Sequence, residues 1–289
     1  MKKWGFLILF IVGLCFVFII NGSFFEPKVE VREDIQQEND KGEDFDNIQT
    51  IKITEEQIYQ GNLLLVNSEY PVRQEGIKTD VVNLFTHNEL VKGYGLLYNN
   101  IYLSEDIAHE FSEMIAAAEK EGVDNFWITS GYRTLDEQRK LYEELGPDAA
   151  LPAGYSEHNM GLALDVGTTQ TTMDKAPEGE WIEKNAWKYG FILRYPEDKT
   201  DITGIQYEPW HIRYVGLPHS VIMKEKNFVL EEYLDYLKEK KKVTAEFDGK
   251  KYTVSYHSFS ENMTIHIPKN QEYKISGDNM DGIIVTMYD

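Results

Sequence analysis

From Ser104 to Gly146 the sequence leaves little freedom in how its backbone can run. SEDIAHEFSEMIAAAEKEG places Ile107, Phe111, Met114, Ile115 and Ala118 on one face of a helix. Ser104 is positioned to cap that helix, acids fill its first turn, and Gly122 can end it. FWIT (126–129) follows as a short strand. TLDEQRKLYEELG is then a second helix, with Thr134 and Glu137 spaced as a capping box. The apolar face of the first helix asks for a core to bury it. The chain has 289 residues and is 42% hydrophobic, enough to build such a core.

The same reading extends outward. LLLV (63–66) is expected as a buried strand. EWIEKNAWKYG forms a third helix ending at Gly190. FILRY (191–195) and residues 205–215 are expected as two strands joined across PEDKTDITG as a hairpin. Helices return between Pro218 and Lys241. Beyond them, AEFDGKKYTVSYHS reads as two short strands around an Asp248-Gly249 turn, and NMTIHIP and GIIVTMY as further strands. The expected fold class is α+β: a central antiparallel sheet with flanking helices, plus a small C-terminal β appendage over 242–289.

The first 22 residues stand apart. Lys2 and Lys3 precede an apolar run from Trp4 to Ile20, near the short end of what spans a bilayer. The lysines should stay cytoplasmic. No small-residue cleavage site follows clearly, so an uncleaved membrane anchor is expected over 1–22 and the rest of the chain is expected to be exported. Residues 23–50 are rich in Glu, Asp and Gln and read as a disordered tether. The folded unit is expected over 51–241. The formal net charge is −20, from 29 basic and 49 acidic residues, which excludes a general nucleic-acid binder. Nothing in the sequence sets an oligomeric state.

The chemistry concentrates in SEHNMGLALD, Ser156 to Asp165. Cys15 is the only cysteine, so any metal must be held by His, Asp or Glu. His158 and Asp165 are suitable zinc ligands, and a catalytic zinc takes three protein ligands with one position open. EPWH (208–211) offers His211 as the third, with Glu208 beside it as a candidate general base. In a regular strand residues 208 and 211 would face opposite ways. An irregularity is therefore expected at Glu208-Pro209. Gly161 and Ala163 permit a tight turn or a close backbone approach. SGYRT (130–134) sets Arg133 just before the capped helix, with Gln138 in its first turn. That arrangement is either an anion site or a structural ion pair. Trp210 reads as core packing rather than pocket wall. Tyr132 and Tyr155 are open between the two roles.

SGYRT, SEHNMGLALD and EPWHIRYVG together resemble the VanY-type D-Ala-D-Ala carboxypeptidases, zinc peptidases of bacterial cell-wall metabolism. The family pattern Ser-x-His-x-x-Gly-x-Ala-x-Asp is matched by Ser156, His158, Gly161, Ala163 and Asp165, and Glu-x-Trp-His by Glu208, Trp210 and His211. The likeness runs from about Leu63 to Lys241. It implies zinc on His158, Asp165 and His211, with Glu208 as base. It also implies that Arg133, Gln138 and Ser156 hold the terminal carboxylate of a peptidoglycan stem peptide ending in D-Ala-D-Ala. An L,D-carboxypeptidase acting on tetrapeptide stems could use the same residues. An endopeptidase or a non-catalytic wall-binding protein fits less well, given Arg133 and an intact Glu208.

Overall fold

The computed structural model describes residues 29–33, 47–147 and 149–289. The expected anchor, 1–22, lies outside the described residues. Among the described residues no helix is long and apolar enough to cross a membrane.

A five-stranded sheet carries the molecule's chemistry. Its strands are β4 (Tyr94–Leu96), β6 (Phe126–Ser130), β7 (Ala163–Gly167), β9 (His211–Tyr214) and β8 (Phe191–Leu193), in that spatial order. β4 runs parallel to β6, and the other neighbours are antiparallel. The central sheet is thus antiparallel as expected except at one edge. Helix α1 (Glu105–Lys120) lays Ile107, Phe111, Met114, Ile115 and Ala118 into its core, with Phe126, Ile128, Leu164, Phe191 and Ile212. Each of these side chains larger than alanine contributes about 1.5–3 kcal/mol through burial.

The N-terminus of α1 differs from the expectation. The Ser104 hydroxyl does not cap the helix but donates to Asp80 Oδ2 at 2.7 Å, and that oxygen also accepts the Asp106 N–H at 3.2 Å. A carboxylate from a distant turn therefore caps the helix, and its negative charge suits the helix dipole. Helix α2 (Leu135–Leu145) has the capping box read from its sequence, with Glu137 N–H donating to Thr134 Oγ1 and Thr134 N–H to Glu137 Oε2. Helix α3 (Pro177–Asn185) continues through a 3-10 turn to Gly190, where φ is +82°.

A second sheet, in the order β1 (Glu30–Glu33), β10 (Lys242–Phe247), β11 (Lys250–Ser258), β14 (Gly282–Tyr288), β13 (Glu272–Gly277), lies beyond helices α4 (His219–Lys226) and α5 (Leu230–Lys240). Asp248 and Gly249 both adopt positive φ at the β10–β11 turn, as a tight hairpin of this hand requires. Ile192, Val215, Ile222, Tyr233, Leu234 and Leu237 share one core with Val243, Val254, Tyr256 and Ile284 of this sheet. The C-terminal strands are therefore packed into the body of the molecule rather than hung from it. Parts of the expected tether are ordered too. Glu30–Glu33 pair antiparallel with β10, and β2 (Ile48–Lys52) pairs with β12 (Thr264–Pro268).

LLLV is buried but is not a strand. Leu64 and Val66 enter the core of the central sheet, while Leu63 and Leu65 enter the core beneath the second sheet. Its polar backbone groups find partners outside any ladder. Leu63 N–H donates to Ser276 Oγ, Leu65 N–H to the Asp278 carbonyl, and Arg213 Nη2 donates to the carbonyls of Asn62 and Leu64. A segment shared by two cores has no free edge on which to pair.

Candidate metal centre

Three features of the chain bring the motif side chains together. The first is register: Asp165 on β7 stands directly opposite His211 on β9. The second is a turn. The sequence-based expectation of a strand over 205–215 is corrected: residues 205–210 are not a strand, β9 begins only at His211, and PEDKTDITG contains a 3-10 turn and a helical turn (197–203) rather than a plain hairpin loop. Within that connection His211 N–H donates to the Glu208 carbonyl at 3.2 Å, closing a turn with Pro209 at its second position, where its fixed φ is favoured. The turn supplies the irregularity expected at Glu208-Pro209 and brings Glu208 Oε2 to 3.8 Å from His211 Nδ1. The third is Gly161, whose φ of +83° reverses the chain between the 3-10 turn Glu157–Asn159 and β7.

His158, Asp165 and His211 each offer one ligand atom, all within 4.8 Å of one another. His158 Nδ1–H donates to the Gly131 carbonyl at 2.6 Å, which leaves Nε2 bare, 3.3 Å from Asp165 Oδ2. Gly131 is required here, since a Cβ would collide with the Tyr102 carbonyl. His211 Nδ1 lies 3.1 Å from Asp165 Oδ1, and its Nε2 lies 3.3 Å from Glu157 Oε2 on the other side of the ring. Two imidazoles and a carboxylate with one open side are the donor set of a catalytic zinc site, and each imidazole has an outer partner for its second nitrogen. The residues fit the ion.

Electrostatics follow the same lines. Burial alone would lower the His211 pKa, but the hydrogen bonds to Asp165 and Glu157 reverse that and push it up to about 9. Burial pulls His158 below its ordinary value. Despite burial, the neighbouring histidines hold Asp165 well below the usual carboxylate range. Burial pushes the Glu208 carboxyl up, the direction that strengthens a base.

The triad opens into a cavity of about 470 Å³, also lined by Arg133, Gln138, Ser156, Tyr195, Glu208 and Trp210. Arg133 makes no ion pair among the described residues, and its buried Nε has no partner. Its backbone is pinned, with N–H donating to the His158 carbonyl and the carbonyl accepting from Asn159 Nδ2. Of the two alternatives for Arg133, the structural ion pair is not formed among the described residues. Gln138 is buried, and its Nε2 donates to the Leu151 carbonyl at 2.6 Å. Trp210 is 41% exposed and forms cavity wall, which corrects the expectation that it packs in the core. Tyr132 and Tyr155 are not among the lining residues.

Two elements were not assigned from sequence. Tyr195 lines the cavity with its ring 4.9 Å from that of His211. Glu157, 1% exposed, accepts from Arg194 Nε at 2.8 Å and Arg213 Nη1 at 2.7 Å. Despite full burial, the two guanidinium groups hold its carboxyl far below the ordinary range. Glu157 occupies a variable position of the motif, between Ser156 and His158, so no local pattern marks it. Its partners, Arg194 just past β8 and Arg213 on β9, are recognisable only once those strands are paired.

The profile of the VanY family, described as D-alanyl-D-alanine carboxypeptidase, matches residues 100–217. A D-alanyl-D-alanine carboxypeptidase of Enterococcus faecium is 59% identical over 293 residues, spanning 100% of this chain and 97% of the relative. Among solved structures, the vancomycin-resistance D,D-dipeptidase VanXYg in complex with a D-Ala-D-Ala phosphinate analogue superposes with a TM-score of 0.73 at 36% identity. That match covers 84% of this chain and 99% of the other. The LD-carboxypeptidase LdcB superposes with a TM-score of 0.51 at 31% identity, covering 59% of this chain and 84% of the other. With a relative this similar along its whole length, the chain belongs to the VanY family of D-alanyl-D-alanine carboxypeptidases.

Proposed function

We propose that this protein is a zinc-dependent D-Ala-D-Ala carboxypeptidase that removes the terminal D-Ala from peptidoglycan stem pentapeptides. The observation that carries the reading is one cavity holding both the His158–Asp165–His211 triad and the guanidinium of Arg133, whose buried Nε has no partner. An exopeptidase needs that pairing, because it must recognise a free carboxylate at a fixed distance from the bond it cuts. The D,D reading is further supported by the full-length likeness to the Enterococcus faecium enzyme.

In this reading His158, Asp165 and His211 hold the zinc. When bound, the ion supplies a Lewis acid to polarise the scissile carbonyl and lowers the pKa of water at the site. Arg133 binds the terminal carboxylate through its planar fork, assisted by the remaining Gln138 N–H and by the Ser156 hydroxyl. Glu208 takes a proton from the water as its oxygen bonds to the carbonyl carbon. It returns that proton to the D-Ala nitrogen as the C–N bond breaks. Trp210 and Tyr195 wall the cavity and keep bulk water from the reacting atoms.

The peptidase unit spans residues 51–241, with 242–289 as its β module. Residues 1–22 anchor the chain in the membrane and residues after them carry the enzyme to its substrate on the extracytoplasmic face. The apolar run behind Lys2 and Lys3 supports that placement.

The test is release of D-Ala from a muramyl pentapeptide ending in D-Ala-D-Ala and from the matching tetrapeptide, with and without a zinc chelator. Chelator-sensitive release from the pentapeptide is expected. Release chiefly from the tetrapeptide would replace the D,D reading with an L,D one, and release unaffected by the chelator would end the zinc reading.

A further inference from the structure

Behind the metal ligands lies a buried chain of charges that the reaction itself does not use. Glu157 Oε1 takes two donors, Arg194 Nε and Arg213 Nη1, at 2.8 and 2.7 Å. Arg194 turns its other two nitrogens to Glu231 at 2.7 and 2.9 Å. Arg213 turns its own to the carbonyls of Asn62 and Leu64, both at 3.0 Å. Both arginines are wholly buried. Two cations and two carboxylates balance, so the network needs no further counter-charge. Glu157 Oε2 is left over, and it faces His211 Nε2 at 3.3 Å.

From this we infer that Glu157 is a positioning residue: it fixes the tautomer of His211 so that Nδ1 presents its lone pair to the metal. An ionised carboxylate can only accept, so the nitrogen facing it must be N–H. Nδ1 also faces a carboxylate, Asp165 at 3.1 Å, but Asp165 is its fellow ligand. With Nδ1 given to the ion alongside Asp165, the ring's single proton would sit on Nε2, where Glu157 accepts it. The two guanidinium groups clamp one oxygen of the carboxylate and hold its plane, so the acceptor cannot rotate away from His211. This inference rests on the zinc-peptidase reading.

The geometry makes Glu157→Gln a sharper change than its size suggests. Two arginine donors on one side will keep the amide oxygen, because an NH2 turned to them would set donor against donor. The NH2 must then face His211 Nε2, which becomes the acceptor. The proton moves to Nδ1, where the metal should bind.

The experiment compares zinc affinity, by chelator competition, in wild type, Glu157→Gln and Glu231→Gln. Glu231→Gln loosens the same arginine without touching His211. Glu157→Gln is expected to bind zinc about 10–100-fold more weakly, while Glu231→Gln stays near wild type. Equal affinity in all three, or an equal loss in both variants, would overturn the inference. Should Glu157→Gln fail to fold, nitrogen NMR of the zinc-loaded wild type still decides. The expected signal is a slowly exchanging Nε2–H on His211, and a proton on Nδ1 would overturn it. A wild type that binds no zinc would bring down the underlying reading instead, and is distinguished by that control.

Discussion

Asp165 and His211 are cross-strand partners on β7 and β9, with Oδ1 and Nδ1 3.1 Å apart. The pair is a product of register. Side chains alternate along a strand, so a slip of one residue would turn one of the two to the opposite face. The ladder fixes these two donors before any metal arrives, and the short turn carrying His158 completes the set.

Glu208→Gln should leave zinc content unchanged and lower kcat by about 10²–10⁴-fold, the usual loss for a general base. Metal analysis alongside D-Ala release separates the two effects. Near wild-type turnover would remove Glu208 from its assigned role.

Arg133→Ala should lower kcat/KM by about 10–100-fold, since a charge-assisted hydrogen bond to the substrate contributes about 1.5–3 kcal/mol. Zinc affinity should hold, because Arg133 touches none of the three ligands by side-chain hydrogen bond. Unchanged kcat/KM would mean the terminal carboxylate docks elsewhere.

Gly161→Ala should destabilise the fold by about 1–2 kcal/mol, because φ at this position is +83° and L side chains avoid that region. The added methyl would also press on Val81 Cγ2 at 3.2 Å. Thermal unfolding would show a fall of a few degrees, about 2–4 °C per kcal/mol for a chain of this class. An unshifted midpoint would show that the turn relaxes freely.

His219 gives a pH signature remote from the metal site. It is buried between Tyr233 Oη and Thr286 Oγ1, and burial lowers its pKa to about 3. In the unfolded chain the imidazole titrates near ~6.5. Between those values the unfolded state holds the extra proton, so the stabilisation is complete above about pH 6.5 and is lost as pH falls toward 3. Wild type should therefore lose about 1.4 kcal/mol more per pH unit than His219→Gln across that window. Parallel pH profiles for the two proteins would contradict the assignment.

Much of this was legible in the sequence, where local rules apply. Helices α1 and α2 follow from their periodicity and glycine or capping signals, and the convergence of His158, Asp165 and His211 from motif spacing. What stayed hidden depends on distant chain. The strands at 30–33 and 48–52 sit in an acidic stretch, and their partners lie some 200 residues away. Asp80 displaces Ser104 as the cap of α1 by tertiary contact. A run such as LLLV carries no period by which to tell a ladder strand from a buried irregular segment. The surroundings of Glu157 depend on two arginines distant in sequence, one just past β8 and one on β9, which no local pattern records.

That LLLV segment has a consequence for how the molecule comes apart. Leu64 and Val66 belong to one core, Leu63 and Leu65 to the other. Neither layer can melt without withdrawing alternate side chains of the same four residues from the layer that remains. The two sheets are therefore expected to unfold as a single cooperative unit. The C-terminal strands stabilise the catalytic sheet without contributing a ligand to it.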